Sequence, residues 1–257
     1  MGCTEAKYSI SKVNTDHYTS LREVQLAIRK AGLESSNLIF GIDYTGSNQV
    51  TGEKSFGGRS LHDLTVKNPY MEVIEILGET LEDFDDDHII PAYAFGDEEC
   101  RDQKVKPFFP NRHCRGFREV LERYREITPL MDLAGPTDFA PLIRETIRIV
   151  KEERSYHILV IVTDGQVNEE KSTINAIVEA TNYPISIICV GVGDGPWDMM
   201  HTFDDRIPKR KFDNFQFVEF NKVKSQHPTN LYPSFALEAL MEIPEQYKAI
   251  RQLGMLN

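Results

Sequence analysis

Three short runs, residues 38–42, 158–162 and 185–190, are rich in β-branched apolar side chains with little or no polar alternation. A strand of that kind needs cover on both faces, as a parallel strand between layers of helices has. Residues 89–95 and 215–220 add two more candidate strands. Elsewhere the apolar spacing changes to three and four. Ser20 with Glu23 makes a capping-box start, Leu21, Val24, Ile28 and Ala31 share a face, and Gly32 is a stop. Asn68-Pro69 opens a helix with Tyr70, Val73, Ile74, Leu77 and Leu81 on one side. Phe117, Val120, Leu121 and Tyr124 mark another helix. Phe139, Leu142, Ile143, Thr146, Ile147 and Val150 mark a third, and residues 235–243 are part of the last. Strands separated by helices predict an α/β fold: a doubly wound, mostly parallel six-stranded sheet with helices on both faces. Ligands of such sheets sit beyond the carboxyl ends of the strands, so functional side chains are expected just after the apolar runs.

A chain of 257 residues, 40% of them apolar, supports one sizeable core. The expected division is a domain over residues 19–250 between an amino-terminal tail, 1–18, and a carboxyl tail, 251–257. A net charge of −11 opposes nucleic acid as a partner. No apolar run approaches the roughly 20 residues of a membrane-spanning helix, and residues 1–16 lack the apolar centre of a secretory signal. Cys3, Cys100, Cys114 and Cys189 form neither a C-x-x-C pair nor a disulfide framework, which suits a reducing compartment. A cytoplasmic protein is expected. Met1-Gly2-Cys3 offers Gly2 for myristate and Cys3 for palmitate, which would hold it at the cytosolic face of the plasma membrane. Ala6 departs from the Ser or Thr usual in that motif, and an unmodified tail is the alternative.

After the first run stands Asp43-Tyr44-Thr45-Gly46-Ser47, and after the second Thr163-Asp164-Gly165. Between them, Gly135-Pro136-Thr137-Asp138 precedes a helix. Asp43 and Asp164 bring carboxylates, and Thr45, Ser47 and Thr137 bring hydroxyls. An all-oxygen set, without His or Cys at metal-ligand spacing, selects Mg²⁺, or Ca²⁺ or Mn²⁺, over zinc. Two carboxylates leave such an ion short of negative charge, so a carboxylate from outside is a favoured last ligand. The alternative is that these residues serve only caps and turns.

The same residues carry a resemblance. Asp43-x-Thr45-x-Ser47, a distant Thr137 and Asp164-Gly165 resemble the metal-ion-dependent adhesion site of von Willebrand A domains. Ala31-Gly32-Leu33-Glu34-Ser35-Ser36-Asn37 and Gly135-Pro136-Thr137-Asp138-Phe139-Ala140-Pro141 resemble segments of copines and of the copine-domain ubiquitin ligases of plants. So does Val192-Gly193-Asp194-Gly195-Pro196-Trp197-Asp198-Met199-Met200. Phe212-Asp213-Asn214-Phe215-Gln216-Phe217-Val218 and Ala239-Leu240-Met241-Glu242-Ile243-Pro244 are more similar to the plant ligases. The likeness covers residues 18–250. It implies a von Willebrand A fold in which Thr45, Ser47 and Thr137 touch the metal while Asp43 and Asp164 act largely through water. An exposed Asp or Glu of a protein ligand would complete the coordination. Thr45 replaces the family's commoner Ser and keeps its donor atom. By that analogy the chain is an adaptor in signalling, trafficking or ubiquitin pathways, without catalysis. The two lipid-binding domains of copines find no room in 257 residues, and no cysteine follows Cys189 to build the ligases' RING finger. Neither calcium-driven lipid binding nor intrinsic ligase activity is expected.

One enzyme reading competes. Asp43-Tyr44-Thr45-Gly46-Ser47 is similar to the aspartyl nucleophile loop of Mg²⁺-dependent haloacid-dehalogenase-type phosphotransferases, with Asp194 and Asp198 as their late acidic pair. The acid/base Asp that many of them need two residues after the nucleophile is Thr45 here. The glycine spacings of residues 46–55 and 191–195 fail the phosphate-loop and dinucleotide patterns, and no clear helix opening follows Gly195. The acidic run at residues 82–87 lacks the glycine and final Glu of a calcium loop and reads as a solvated face. Trp197 and Met199 offer either a partner-binding surface or a packed edge of the sheet. Arg206 with Lys209, Arg210 and Lys211 reads as a surface loop, with a nuclear address as the alternative.

Overall fold

A computed structural model describes residues 19–256, so Gly2 and Cys3 lie outside the described residues. Its strands are β1 (Asn37–Asp43), β2 (Ile89–Ile90), β3 (Ala92–Phe95), β4 (Lys106–Pro107), β5 (Cys114–Arg115), β6 (His157–Thr163), β7 (Ile185–Gly191) and β8 (Phe215–Glu219). One sheet of six runs in the order β4-β3-β1-β6-β7-β8. Its strands are parallel except β4, which lies antiparallel to β3 at one edge. This is the expected doubly wound architecture.

Side chains alternate between two cores because successive residues of a strand point to opposite faces. Leu38, Phe40 and Ile42 of β1 join Ile158, Val160 and Val162 of β6 in one core, while Ile39, Leu159 and Ile161 enter the other. Every residue of β6 and β7 is buried, which explains why they are mostly apolar, with His157, Thr163 and Ser186 as the buried polar exceptions. The first core is closed by α1 (Leu21–Ala31), α2 (Pro69–Leu81), α3 (Gly116–Ile127), α7 (Phe220–Gln226), α8 (Leu231–Leu240) and α9 (Ile243–Gln252). The second is closed by α4 (Ala140–Glu153), α5 (Glu170–Ala180) and α6 (Asp198–Asp205).

Local chemistry sets the helix ends. The Ser20 side chain accepts from the Glu23 N–H, and Gly32 takes a left-handed φ of 119° to close α1. The Asn68 side chain accepts from the Met71 N–H, with Pro69 in the first turn of α2.

Residues 89–95 do not make one strand. Proline has no N–H for a ladder, and at Pro91 the segment divides. β2 pairs antiparallel with β5, whereas β3 joins the main sheet. A helix does follow Gly195: α6 begins at Asp198, contrary to the expectation from sequence. Residues 235–243 divide between α8 and α9, with Pro244 in the first turn of α9. Helix α9 passes position 250, and Met255 and Leu256 lie partly buried against the first core.

Both sheet edges are short or covered. β4 has two residues, one of them Pro107, and on β8 the Phe217 N–H donates to the Asp204 carboxylate of α6 at 3.1 Å.

Helices α2 and α3 meet at a glycine. A Cβ added at Gly78 would stand 2.3 Å from Phe117 Cβ, close to the backbone of α3. Gly78→Ala is expected to cost about 1–3 kcal/mol of stability despite the better helix propensity of alanine. A urea midpoint unchanged from wild type would show that the two helices have room to spare.

Candidate metal centre

β1 and β6 are parallel neighbours, Ile42 beside Val162, so Asp43 and Thr163-Asp164 emerge together at the same end of the sheet. The Thr163 hydroxyl donates to Asp43 Oδ2 at 2.6 Å, and the Thr45 N–H donates to Asp43 Oδ1 at 2.8 Å. Past Asp43 the chain makes a tight turn over Gly46–Gln49, which brings Ser47 back over the strand end. Its hydroxyl donates to Asp164 Oδ1 at 3.0 Å and lies 3.1 Å from the Thr45 hydroxyl, itself 3.5 Å from the same carboxylate oxygen. Asp43, Thr45, Ser47 and Asp164 therefore form one hydrogen-bonded cluster.

Thr137 is brought alongside through the backbone. The Gly46 N–H donates to the Ala134 carbonyl at 2.6 Å, and Thr45 bridges Ala134. On the other side, the Thr137 N–H donates to Asn168 Oδ1 and the Asn168 N–H donates to the Thr137 carbonyl, each at 2.8 Å. The segment carrying Thr137 is thus stitched between the loops carrying Ser47 and Asp164. Among the described residues, the Thr137 hydroxyl makes no hydrogen bond to the other four. Asp138 instead braces the turn into α4, its Oδ1 accepting from the Ala140 N–H and the Thr173 hydroxyl.

The electrostatics of this cluster are unbalanced. Asp43 is 0% and Asp164 1% exposed. Burial pushes the Asp43 carboxyl well above the usual carboxylate range, and the neighbouring Asp164 charge adds to the shift. Burial likewise raises Asp164. Among the described residues, neither carboxylate has an ion-pair partner of opposite charge. No group of three or more His, Cys, Asp or Glu that would suit a metal occurs among the described residues, so an ion here would depend on the hydroxyls. Two buried, uncompensated carboxylates with three hydroxyls fit a hard divalent cation. A Cβ built at Gly165 meets nothing within 4 Å, so the residue that follows Asp164 borders open space.

Several residues that support the cluster carry no signal in the sequence. His62 is sandwiched between Tyr44 and Tyr70, with ring centroids 4.6 and 4.2 Å away. Its Nε2 lies 2.8 Å from the Asp43 carbonyl and its Nδ1 2.8 Å from the Tyr124 hydroxyl. A carbonyl only accepts, so the proton sits on Nε2 and Nδ1 accepts from Tyr124. Burial pushes the His62 pKa down to about 4, which keeps the ring neutral. Asn48 Nδ2 donates to the Thr45 carbonyl at 3.1 Å, and its Oδ1 accepts from Tyr70 at 2.7 Å. The Thr51 hydroxyl reaches Asp164 Oδ2 at 2.6 Å.

Trp197 and Met199 do not join the oxygen cluster. Both pack, partly buried, on the second core, and the indole lies against Gly191 and Phe217. Asp194, needed near Asp43 by the phosphotransferase reading, accepts from the Lys54 and Ser55 N–H groups at 2.8 and 2.9 Å. Asp43 itself is fully buried with both oxygens hydrogen-bonded, unlike an attacking carboxylate.

Known proteins share this sequence and fold. The chain is 56% identical over 250 residues to Copine family protein 2 of Caenorhabditis elegans, covering 95% of this chain and 3% of that protein. It is 52% identical to the E3 ubiquitin-protein ligase RGLG5 of Arabidopsis thaliana, covering 98% of this chain and 62% of the ligase. The chain thus spans less than two thirds of the length of either relative. Among solved structures, a D319A mutant of the PilB minor pilin from Streptococcus sanguinis superposes with a TM-score of 0.52 at 12% identity. That match covers 87% of this chain and 64% of the pilin. The sheet order, with helices on both faces, is that of a von Willebrand A fold. A sequence model of the copine family matches residues 60–257, and with relatives that share half or more of its residues the chain belongs to the copine family.

Proposed function

We propose that this domain is a protein-recognition module that holds one divalent cation, Mg²⁺ or else Ca²⁺ or Mn²⁺, and through it captures an exposed Asp or Glu of a partner protein. The observation that carries the reading is the buried pair Asp43 and Asp164, side by side without a cationic side chain. Thr45, Ser47 and Thr137 are the neutral donors that would complete the protein's share of the coordination. Hydroxyls add no charge, so the cation would supply a positive centre with affinity left for one more carboxylate. His62 and Asn48 hold the backbone of Asp43 and Thr45 in place, which keeps the donor set preorganised.

Five Arabidopsis thaliana relatives bear the name E3 ubiquitin-protein ligase, which supports an adaptor role in ubiquitin or related signalling pathways. The test is capture of partners from an extract in Mg²⁺ against chelator, repeated with Asp43→Ala. Partners are expected to be retained only by the wild-type domain in Mg²⁺. Equal retention in all conditions would sink the reading. A phosphatase assay with and without Mg²⁺ separates it from the phosphotransferase alternative, which requires turnover that Asp43→Asn abolishes.

A further inference from the structure

The Thr51 hydroxyl oxygen stands 2.6 Å from Asp164 Oδ2 and 3.0 Å from the Ser47 carbonyl. A hydroxyl has one proton to donate. The Ser47 carbonyl already accepts from the N–H groups of Val50 and Thr51, at 2.9 and 3.0 Å, so both its lone pairs are engaged. The bond to the carboxylate is shorter and charge-assisted. The proton therefore goes to Asp164.

That contact fixes the carboxylate's rotation. With Oδ2 held by Thr51, Oδ1 faces the hydroxyls of Ser47 and Thr45 at 3.0 and 3.5 Å. Thr163 grips Asp43 Oδ2 in the same way at 2.6 Å. The loop carrying Thr51 is anchored in turn. Its carbonyl accepts from the Asp194 N–H at 2.8 Å, and the Asp194 carboxylate accepts from the N–H groups of Lys54 and Ser55. Asp194 is thus the clasp of this loop.

We propose that Thr51 is a positioning residue of the cation site, acting through Asp164; the inference rests on the metal-dependent reading above. By fixing Oδ2, it keeps Oδ1 turned to the hydroxyls that would share a cation, and would spare the bound state the entropy of ordering a free carboxylate. The test is a Mn²⁺ titration of the full chain, with free Mn²⁺ read by electron paramagnetic resonance and melting in chelator as the folding control. Thr51→Val, of nearly the same shape, is expected to weaken Mn²⁺ binding about tenfold, the scale of losing a hydrogen bond behind a metal ligand. Thr51→Ser keeps the hydroxyl and should bind like wild type. Undiminished affinity in Thr51→Val, or an equal loss in Thr51→Ser, would overturn the proposal. If Thr51→Val melts without cooperativity, Thr51→Ala replaces it under the same criteria. Wild-type protein that binds no Mn²⁺ would instead remove the metal site itself and this role with it.

Discussion

Asp43→Asn should raise the melting temperature of the protein in chelator while abolishing its response to Mg²⁺. The two effects have opposite signs because one side chain serves two states. Without a cation, Asp43 and Asp164 are like charges buried side by side, and each costs desolvation that no ion pair offsets. An asparagine keeps an amide oxygen for the Thr45 N–H and turns its NH₂ toward the Thr163 hydroxyl, which can accept. Relief of about 1 kcal/mol corresponds to a rise of about 2–4 °C for a domain of this size. With a cation present the order reverses. At a hundredfold excess over Kd, a bound ion adds about 2.7 kcal/mol to the wild type, which the variant should lose. Differential scanning calorimetry in chelator and in Mg²⁺ reads both. A variant that melts lower than wild type in chelator would show that the carboxylate pair stabilises the fold and is not held for an ion.

Much of this site is legible in the sequence because it follows from the sheet. Apolar runs mark β1 and β6, parallel neighbours end together, and the oxygen-bearing residues just past them must meet. The contacts of Ser47 with Asp164 and of Thr163 with Asp43 are consequences of that register. Thr51, Asn48 and His62 obey no spacing rule. Thr51 reaches a carboxylate 113 positions away, and His62 a carbonyl 19 positions back, through tertiary packing alone. The unforeseen elements have similar causes. Helix α5 buries small residues, Thr173, Ala176 and Ala180, beside Ile177, so its apolar face is faint in the sequence. β4 is too short to leave a pattern, and only the ring of Pro91 tells β2 from β3.

His62→Ala should have the larger cost, about 4 kcal/mol. The ring is 6% exposed and stacked on both faces, so truncation opens a cavity comparable to that of a core aromatic, about 3–5 kcal/mol. His62→Phe separates packing from hydrogen bonding. It fills the slot between Tyr44 and Tyr70 but leaves the Asp43 carbonyl and the Tyr124 hydroxyl each short of a partner, about 1–3 kcal/mol. Urea unfolding of the three proteins is expected to rank wild type above Phe above Ala. A Phe variant as stable as wild type would mean that the imidazole's hydrogen bonds do not hold the strand end.

The rims of the sheet bear on how the domain stays apart from other copies of itself. Aggregation and strand exchange between neighbouring copies need a row of open backbone groups to copy. Here Pro107 interrupts one rim, and the Asp204 carboxylate sits over an amide on the other. Blunted rims deny a second copy the open backbone it would need to extend the sheet, so each sheet ends within its own chain.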